Sequence, residues 1–317
     1  MLSLHIGALI FMHNAMLDSG AFSAWTQNEE VNIENYTDFV LKNLDYFSYI
    51  VNLDVIPGEW NRSPTKKEAE IACRKGWENY KYMLSKGIPA DKLIHVFHQG
   101  DNFEWLEKFM KENLKYIGLS PANDKTVQEK IKWLDKCMEI TTDKQGYPLN
   151  KWHGFAVTSL KMMLRYPWYS VDSSSWTTFA RLGSILVPKY KKGRWVYDEQ
   201  PWVLGMTSRS PFIDRKLKHF NNLSLNHKEV VKNYIAIQGY SIGSSHIENV
   251  RPDHKLKQGK ELWYEKGKSV EVIDEVGLSN SNQQRNEINI LYYQDLARSM
   301  PEWPWPFKHR RKRGSFL

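Results

Sequence analysis

Two aspartates in short polar settings carry the chemistry that these residues allow. Asp172 lies in Trp168-Tyr169-Ser170-Val171-Asp172-Ser173-Ser174-Ser175-Trp176. Aromatic and β-branched residues from Tyr169 to Val171, just after Pro167, read as a short strand, so Asp172 stands at its C-terminal end. An aspartate before serines is also an ordinary helix cap. A second copy of the arrangement, Leu17-Asp18-Ser19-Gly20-Ala21-Phe22, favours a reacting pair. One carboxylate would attack or stabilise a cationic carbon while the other moves a proton. A carboxylate pair also binds divalent metals. No third acidic ligand accompanies either motif, so no metal is expected.

The elements that must position this pair come from periodicity. Met1 to Met16 reads as a first strand and its loop, Phe47 to Asp54 as a buried strand, and Leu93 to His98 as the next. Tyr116 to Leu119, His153 to Val157 and Ile185 to Val187 are further strands. Helical spacing separates them. Asn32 caps Ile33, Tyr36 and Val40; Ser63 and Pro64 start a helix through Ala69, Trp77 and Leu84; Asp124 caps Val127, Ile131 and Leu134. Thr158 caps a helix that Pro167 ends, and another spans Ser174 to Leu182. Short connections between alternating strands and helices predict a parallel sheet, and the number of units predicts a TIM (β/α)₈ barrel. An open doubly wound sheet is second, since no Gly-x-Gly-x-x-Gly follows the first strand. In a barrel, Asp18, Asp54, Gln99, Gly118, Gly154 and Asp172 all fall at strand ends on the face where active sites sit.

After Pro188 the chain becomes basic and aromatic. Trp195 to Tyr197 and Trp202 to Met206 are expected to form a hairpin inserted at about 189–225, and Asn226 caps a helix through Ile237. Residues 255–276 fit no pattern. A helix from Gln283 to Met300 forms a C-terminal extension, so one barrel domain over 1–307 is followed by a basic tail at 308–317.

The 317 residues suit one large domain or two medium ones, and 41 % hydrophobic content supports a substantial core. Net charge is +8, which favours a polyanionic partner, most simply nucleic acid. Lys189, Lys191, Lys192, Arg194 and Arg209 either hold phosphates or form a solvated basic loop. With Cys73 and Cys137 as the two cysteines, no disulfide framework or Cys-rich zinc site is expected, and a reducing, cytoplasmic setting fits. The opening segment lacks a basic n-region and a convincing cleavage site and is too broken to span a membrane.

The ordered motifs Leu17-Asp18-Ser19-Gly20-Ala21-Phe22, Phe97-His98-Gln99-Gly100, His153-Gly154-Phe155 and Val171-Asp172-Ser173-Ser174-Ser175-Trp176 resemble the guanine transglycosylase superfamily over residues 17–188. Their wording is most similar to the DNA-guanine transglycosylase branch of phages and bacteria. The resemblance implies that Asp172 attacks C1′ of a target nucleoside and that Asp18 is the general acid and base. It further implies that Asp54, Gln99, Gly118 and Gly154 contact the heterocycle, with Phe22 as the stacking candidate. Free 7-deazaguanine base and DNA would be the partners, in the cytoplasm of a bacterial host if phage-encoded. No cofactor is required, because one glycosidic bond replaces another. No cysteine follows Cys137, so the zinc module of the tRNA enzymes is absent, and Gly20-Ala21 stands where the family has Gly-Gly. The same chemistry on tRNA, a retaining glycoside hydrolase and a non-catalytic nucleic-acid-binding protein are the alternatives.

Overall fold

In the computed structural model, residues 15–58, 62, 64–157, 159–210, 214–215 and 218–308 are described. The expected strand before Ala15, the Thr158 cap and the basic tail beyond Lys308 lie outside them. By packing, the described residues fall into two compact units, those of 15–172 with 302–308 and those of 173–301.

The first unit is a parallel sheet built from β1 (Met16–Leu17), β2 (Tyr49–Val51), β3 (Leu93–His98), β4 (Tyr116–Ser120), β5 (Lys151–Gly154) and β6 (Ser170–Val171). These six strands pair in sequential order. Between them run α1 (Ala21–Thr26), α2 (Ile33–Lys42), α3 (Lys66–Ser85), α4 (Phe103–Lys111), α5 (Val127–Thr141) and α6 (Leu160–Met163). A sequential order has no reversal point, which removes the doubly wound alternative. The sheet is strongly curled. Tyr49 on β2 and Tyr169 just before β6 are four strand spacings apart, about 19 Å in a flat sheet. Their hydroxyls nevertheless meet at 3.0 Å, with the Tyr116 ring edge-on between them. Lys151 Nζ donates to Tyr49 Oη at 2.9 Å and covers the Tyr169 ring.

Helix starts follow local chemistry. Asn32 caps α2 as expected, accepting from the Asn35 N–H. Thr65 and Thr126, with Glu68 and Glu129, make reciprocal capping boxes for α3 and α5. They displace the expected starts at Pro64 and Asp124, because a box satisfies two free N–H groups at once. Residues 302–308 return to this unit: Phe307 N–H donates to Gly146 O at 2.8 Å and its ring stacks on Tyr166.

The second unit contains α7 (Ser175–Arg181), β7 (Ser184–Val187), β8 (Lys189–Lys191), β9 (Arg194–Val196), β10 (Trp202–Gly205), α8 (Leu225–Ile237), β11 (Ser244–Asn249), β12 (Glu261–Glu265), β13 (Ser269–Glu275) and α9 (Asn282–Ser299). Here the closed barrel prediction is corrected. Among the described residues β7 does not extend the parallel sheet but pairs antiparallel with β10. Its four residues are all buried, and a run buried on both faces does not reveal which strand lies beside it or in which direction. The α/β class and the parallel sheet stand; a closed eight-stranded barrel is not formed by the described residues.

The expected hairpin is also corrected. It forms between β8 and β9, not between the Trp195 and Trp202 strands, because Lys192 and Gly193 both take positive φ (49° and 78°) in a two-residue turn. Ser224, not Asn226, caps α8. The unplaced stretch 255–276 supplies β12 and β13 of a three-stranded antiparallel sheet ordered β11-β13-β12. Ile185, Val187, Leu204, Val231, Tyr234 and Ile288 are buried together in the core of this unit. Among the described residues, no helix is long and apolar enough to cross a membrane.

Candidate active site

Parallel strands all end on one rim, and the first three carry a connected chain of polar groups. Gly20, at φ 72°, starts α1 in the left-handed region, where glycine is unstrained. The turn lets Ser19 N–H donate to Asp18 Oδ1 at 2.9 Å while Ser19 Oγ donates to Asp54 Oδ1 at 3.1 Å. The other oxygen of Asp54 meets His98 Nε2 at 2.9 Å, a link across 44 residues. Asp101 Oδ2 accepts the backbone N–H of His98 at 2.7 Å and lies 3.6 Å from its Nδ1.

The electrostatics follow from this crowding. Burial opposes the charge on His98, but hydrogen bonds to Asp101 and Asp54 outweigh it and push the imidazole up to about 10. His98 is therefore an imidazolium at neutral pH. Asp18 is raised above the usual carboxylate range, first by burial and then by the charge of Asp54. The Ser19 N–H partly opposes this, and Asp172 adds to it. Asp18, after β1, thus senses carboxylates that follow β2 and β6.

Asp172 does not cap the next helix. Ser174 holds the N-cap position of α7, without a side-chain hydrogen bond. Instead Asp172 Oδ1 accepts the Ala156 N–H at 2.6 Å, and its own N–H donates to Gly154 O at 3.2 Å. Ala156 takes φ 50°, a conformation that costs a non-glycine residue about 1 kcal/mol or more. The strain aims its N–H at the carboxylate. Asp172 keeps 56 % of its side chain exposed. Burial of its surroundings still raises its pKa, partly countered by Ala156. His153 Nε2 stands 3.9 Å from Asp172 Oδ1. Its Nδ1 is 2.6 Å from Ser170 Oγ, which is 2.5 Å from Tyr116 Oη. Burial lowers His153 to about 4, so the ring is neutral.

The remaining predicted residues divide. Gly118 lies on the concave face, and a Cβ there would sit 2.4 Å from the Phe155 ring. Phe155 packs edge-on to His153 with ring centroids 4.4 Å apart. Gly154 faces the Val157 and Trp168 side chains, so it meets the site through its carbonyl. Gln99 is turned to the following loop, where Oε1 accepts the Ala122 N–H at 3.1 Å. Phe22 is 46 % exposed on α1, its ring 5.9 Å from Trp25. The sequence reading therefore missed His98, Asp101, His153 and Phe155 as members of the site. The signal available was that three of them lie inside the motifs quoted for their neighbours. Gly118→Ala is expected to displace Phe155 and cost about 1–3 kcal/mol by overpacking. Chemical denaturation measures the loss, and an unchanged midpoint would show that the ring moves freely.

The basic residues belong to the second unit. Lys191 pairs with Glu199 at 2.5 Å, Arg209 with Glu271 at 3.2 Å, and Lys189 Nζ covers the Trp202 ring at 4.4 Å. Lys192 and Arg194 are exposed at the β8–β9 turn and make no ion pair among the described residues. No protein-family model matches this chain, and no curated protein matches it.

Proposed function

We propose that the chain is a DNA-guanine transglycosylase, exchanging guanine in DNA for a free 7-deazaguanine derivative through a covalent aspartyl intermediate. The observation that carries this reading is that Asp18, Asp54 and Asp172 follow strands β1, β2 and β6 on one rim of a curled parallel sheet, where the charges of Asp54 and Asp172 both raise Asp18. The order and wording of the motifs around them supply the substrate class, and the charge of +8 suits a polyanion.

In this reading the Asp172 carboxylate bonds to C1′ as the C1′–N9 bond breaks, with oxocarbenium character between the two events. The raised pKa of Asp18 lets it carry the proton that the departing guanine takes. The incoming base then gives a proton to Asp18, its nitrogen attacks C1′, and Asp172 leaves. Two displacements retain configuration. Asp54, oriented by the His98 imidazolium and Ser19, would bind the heterocycle edge. Phe155, beside Gly118, replaces Phe22 as the surface on which the base stacks. The target guanine must leave the duplex to reach Asp172.

The test is incorporation of a labelled 7-deazaguanine into duplex DNA and into tRNA, read by nucleoside mass spectrometry. Label in DNA supports the proposal. Label confined to tRNA would move the same chemistry to the other nucleic acid. No label in either, with a panel of deazaguanines, would refute it.

A further inference from the structure

We propose that the second unit holds a phosphate-binding pocket formed by Arg181, Arg209, Arg285 and Ser279, which takes a phosphate group esterified to a pentose. The cavity measures about 260 Å³ and is also lined by Thr207, Asn280 and Glu271. That is just under the range of pockets that enclose a drug-sized ligand, and it suits one charged group with its attached sugar.

The charge inside is unbalanced. Three guanidinium groups face a single carboxylate, Glu271, which is already engaged by Ser245 Oγ at 2.6 Å and Arg209 Nη2 at 3.2 Å. Arg285 is 6 % exposed. Its Nε and Nη1 are held by the carbonyls of Ala180 and Leu278 at 2.9 and 2.8 Å, which leaves Nη2 without a partner among the described residues. A buried guanidinium so poorly balanced is costly unless a counter-charge arrives. Burial lowers Arg285 only to about 10, so it stays charged at neutral pH.

Three further features point the same way. Ser279 Oγ is buried and has no hydrogen-bond partner. Ser279 and Asn280 directly precede Ser281, the N-cap of the 18-residue α9, so the positive end of that helix lies beside the cavity. Arg181, in the last turn of α7, is exposed and has no ion pair among the described residues. Planar guanidinium groups and hydroxyl donors are the chemistry that grips phosphate oxygens. Arg209 alone among these residues is a phosphate-binding candidate in the sequence. The pocket adds three groups and stands whether or not Asp172 is a nucleophile.

The phosphate can belong to a DNA backbone or to a free nucleotide, and two probes separate these sources. Binding of the full chain to a fluorescein-labelled duplex oligodeoxynucleotide without terminal phosphates is measured against salt, and binding of deoxyguanosine 5′-monophosphate by calorimetry. Arg181→Ala removes an exposed side chain and should fold normally; Ser279→Ala is the second variant. A roughly five- to tenfold weakening of oligonucleotide binding by Arg181→Ala, with the salt slope reduced by about 0.9, would identify a backbone diester. Weakening confined to the mononucleotide would identify a monoester. Wild-type affinities in both variants with both probes would overturn the proposal. No base exchange is needed for either measurement, so failure here is separate from failure of the reaction proposed above.

Discussion

Asp172→Ala should abolish base exchange, with a loss of at least about 10³-fold, and leave the fold intact. The first half follows from the proposed reaction: without the carboxylate no group would trap C1′, and the Ala156 N–H has nothing to hold. The second half follows from geometry. The side chain is 56 % exposed and its carboxylate accepts one hydrogen bond, from Ala156, so its removal should change stability by about 1 kcal/mol or less. Both are measurable on one preparation, by label incorporation and by denaturant unfolding. An active Asp172→Ala would remove Asp172 as nucleophile. A variant that unfolds would instead make Asp172 structural.

Asp18 extends this expectation to pH. Its pKa is raised, so the protonated form that would serve guanine departure in the proposed reaction persists above the ordinary carboxylate range and is lost as pH rises further. Exchange should therefore decline on the alkaline side of that raised pKa. In Asp18→Asn that limb should vanish along with most of the rate. A limb that stays in place would assign it to another group.

The second large effect is on stability, at His98. His98→Gln should cost about 3–5 kcal/mol, the usual consequence of removing one partner of a buried charge pair. It leaves Asp54 and Asp101, whose side chains are 12 % and 1 % exposed, without their cation. The loss should depend on pH. The folded pKa of about 10 exceeds the ordinary histidine value of 6.5, so the stabilisation is complete below pH 6.5. It fades as pH rises from there through 10. Wild-type unfolding free energy should fall across that window, and the His98→Gln curve should run nearly flat. Equal slopes in the two proteins would mean that His98 is not the titrating group. His98→Gln combined with Asp101→Asn should recover part of the loss, because it removes one of the uncompensated charges.

These two residues were not equally visible beforehand. Asp172 announces itself by type and by position at the end of a short β-branched run. His98 sits in an apolar run whose other members face the core, and its importance depends on Asp54, 44 residues away. Nothing local distinguishes it from His95, which occupies the same strand. His95 packs against Trp77, Tyr80 and Phe109, and burial lowers its pKa to about 3. The side-chain alternation of a strand puts the two histidines of β3 on different errands, and only the register of the sheet decides which is which.

What the sequence alone determined is local. Leu93–His98 is a strand because six residues of suitable type lie between turn signals. Asn32 starts a helix because its side chain satisfies a free N–H. The strand-end aspartates are where they were expected because a parallel sheet places all its C-terminal ends on one side. What only the tertiary structure decided is which surfaces close on which. The all-buried β7 looked like one more barrel strand, yet it pairs antiparallel with β10, since a doubly buried run carries no record of its neighbour's direction. The chain of contacts from Asp18 to Asp101 joins the ends of three neighbouring strands, and the curl that brings Tyr49 to Tyr169 arises from the twist summed from β2 to β6. The charge of Asp172 reaches Asp18 through that curvature, a property of the sheet that neither motif contains.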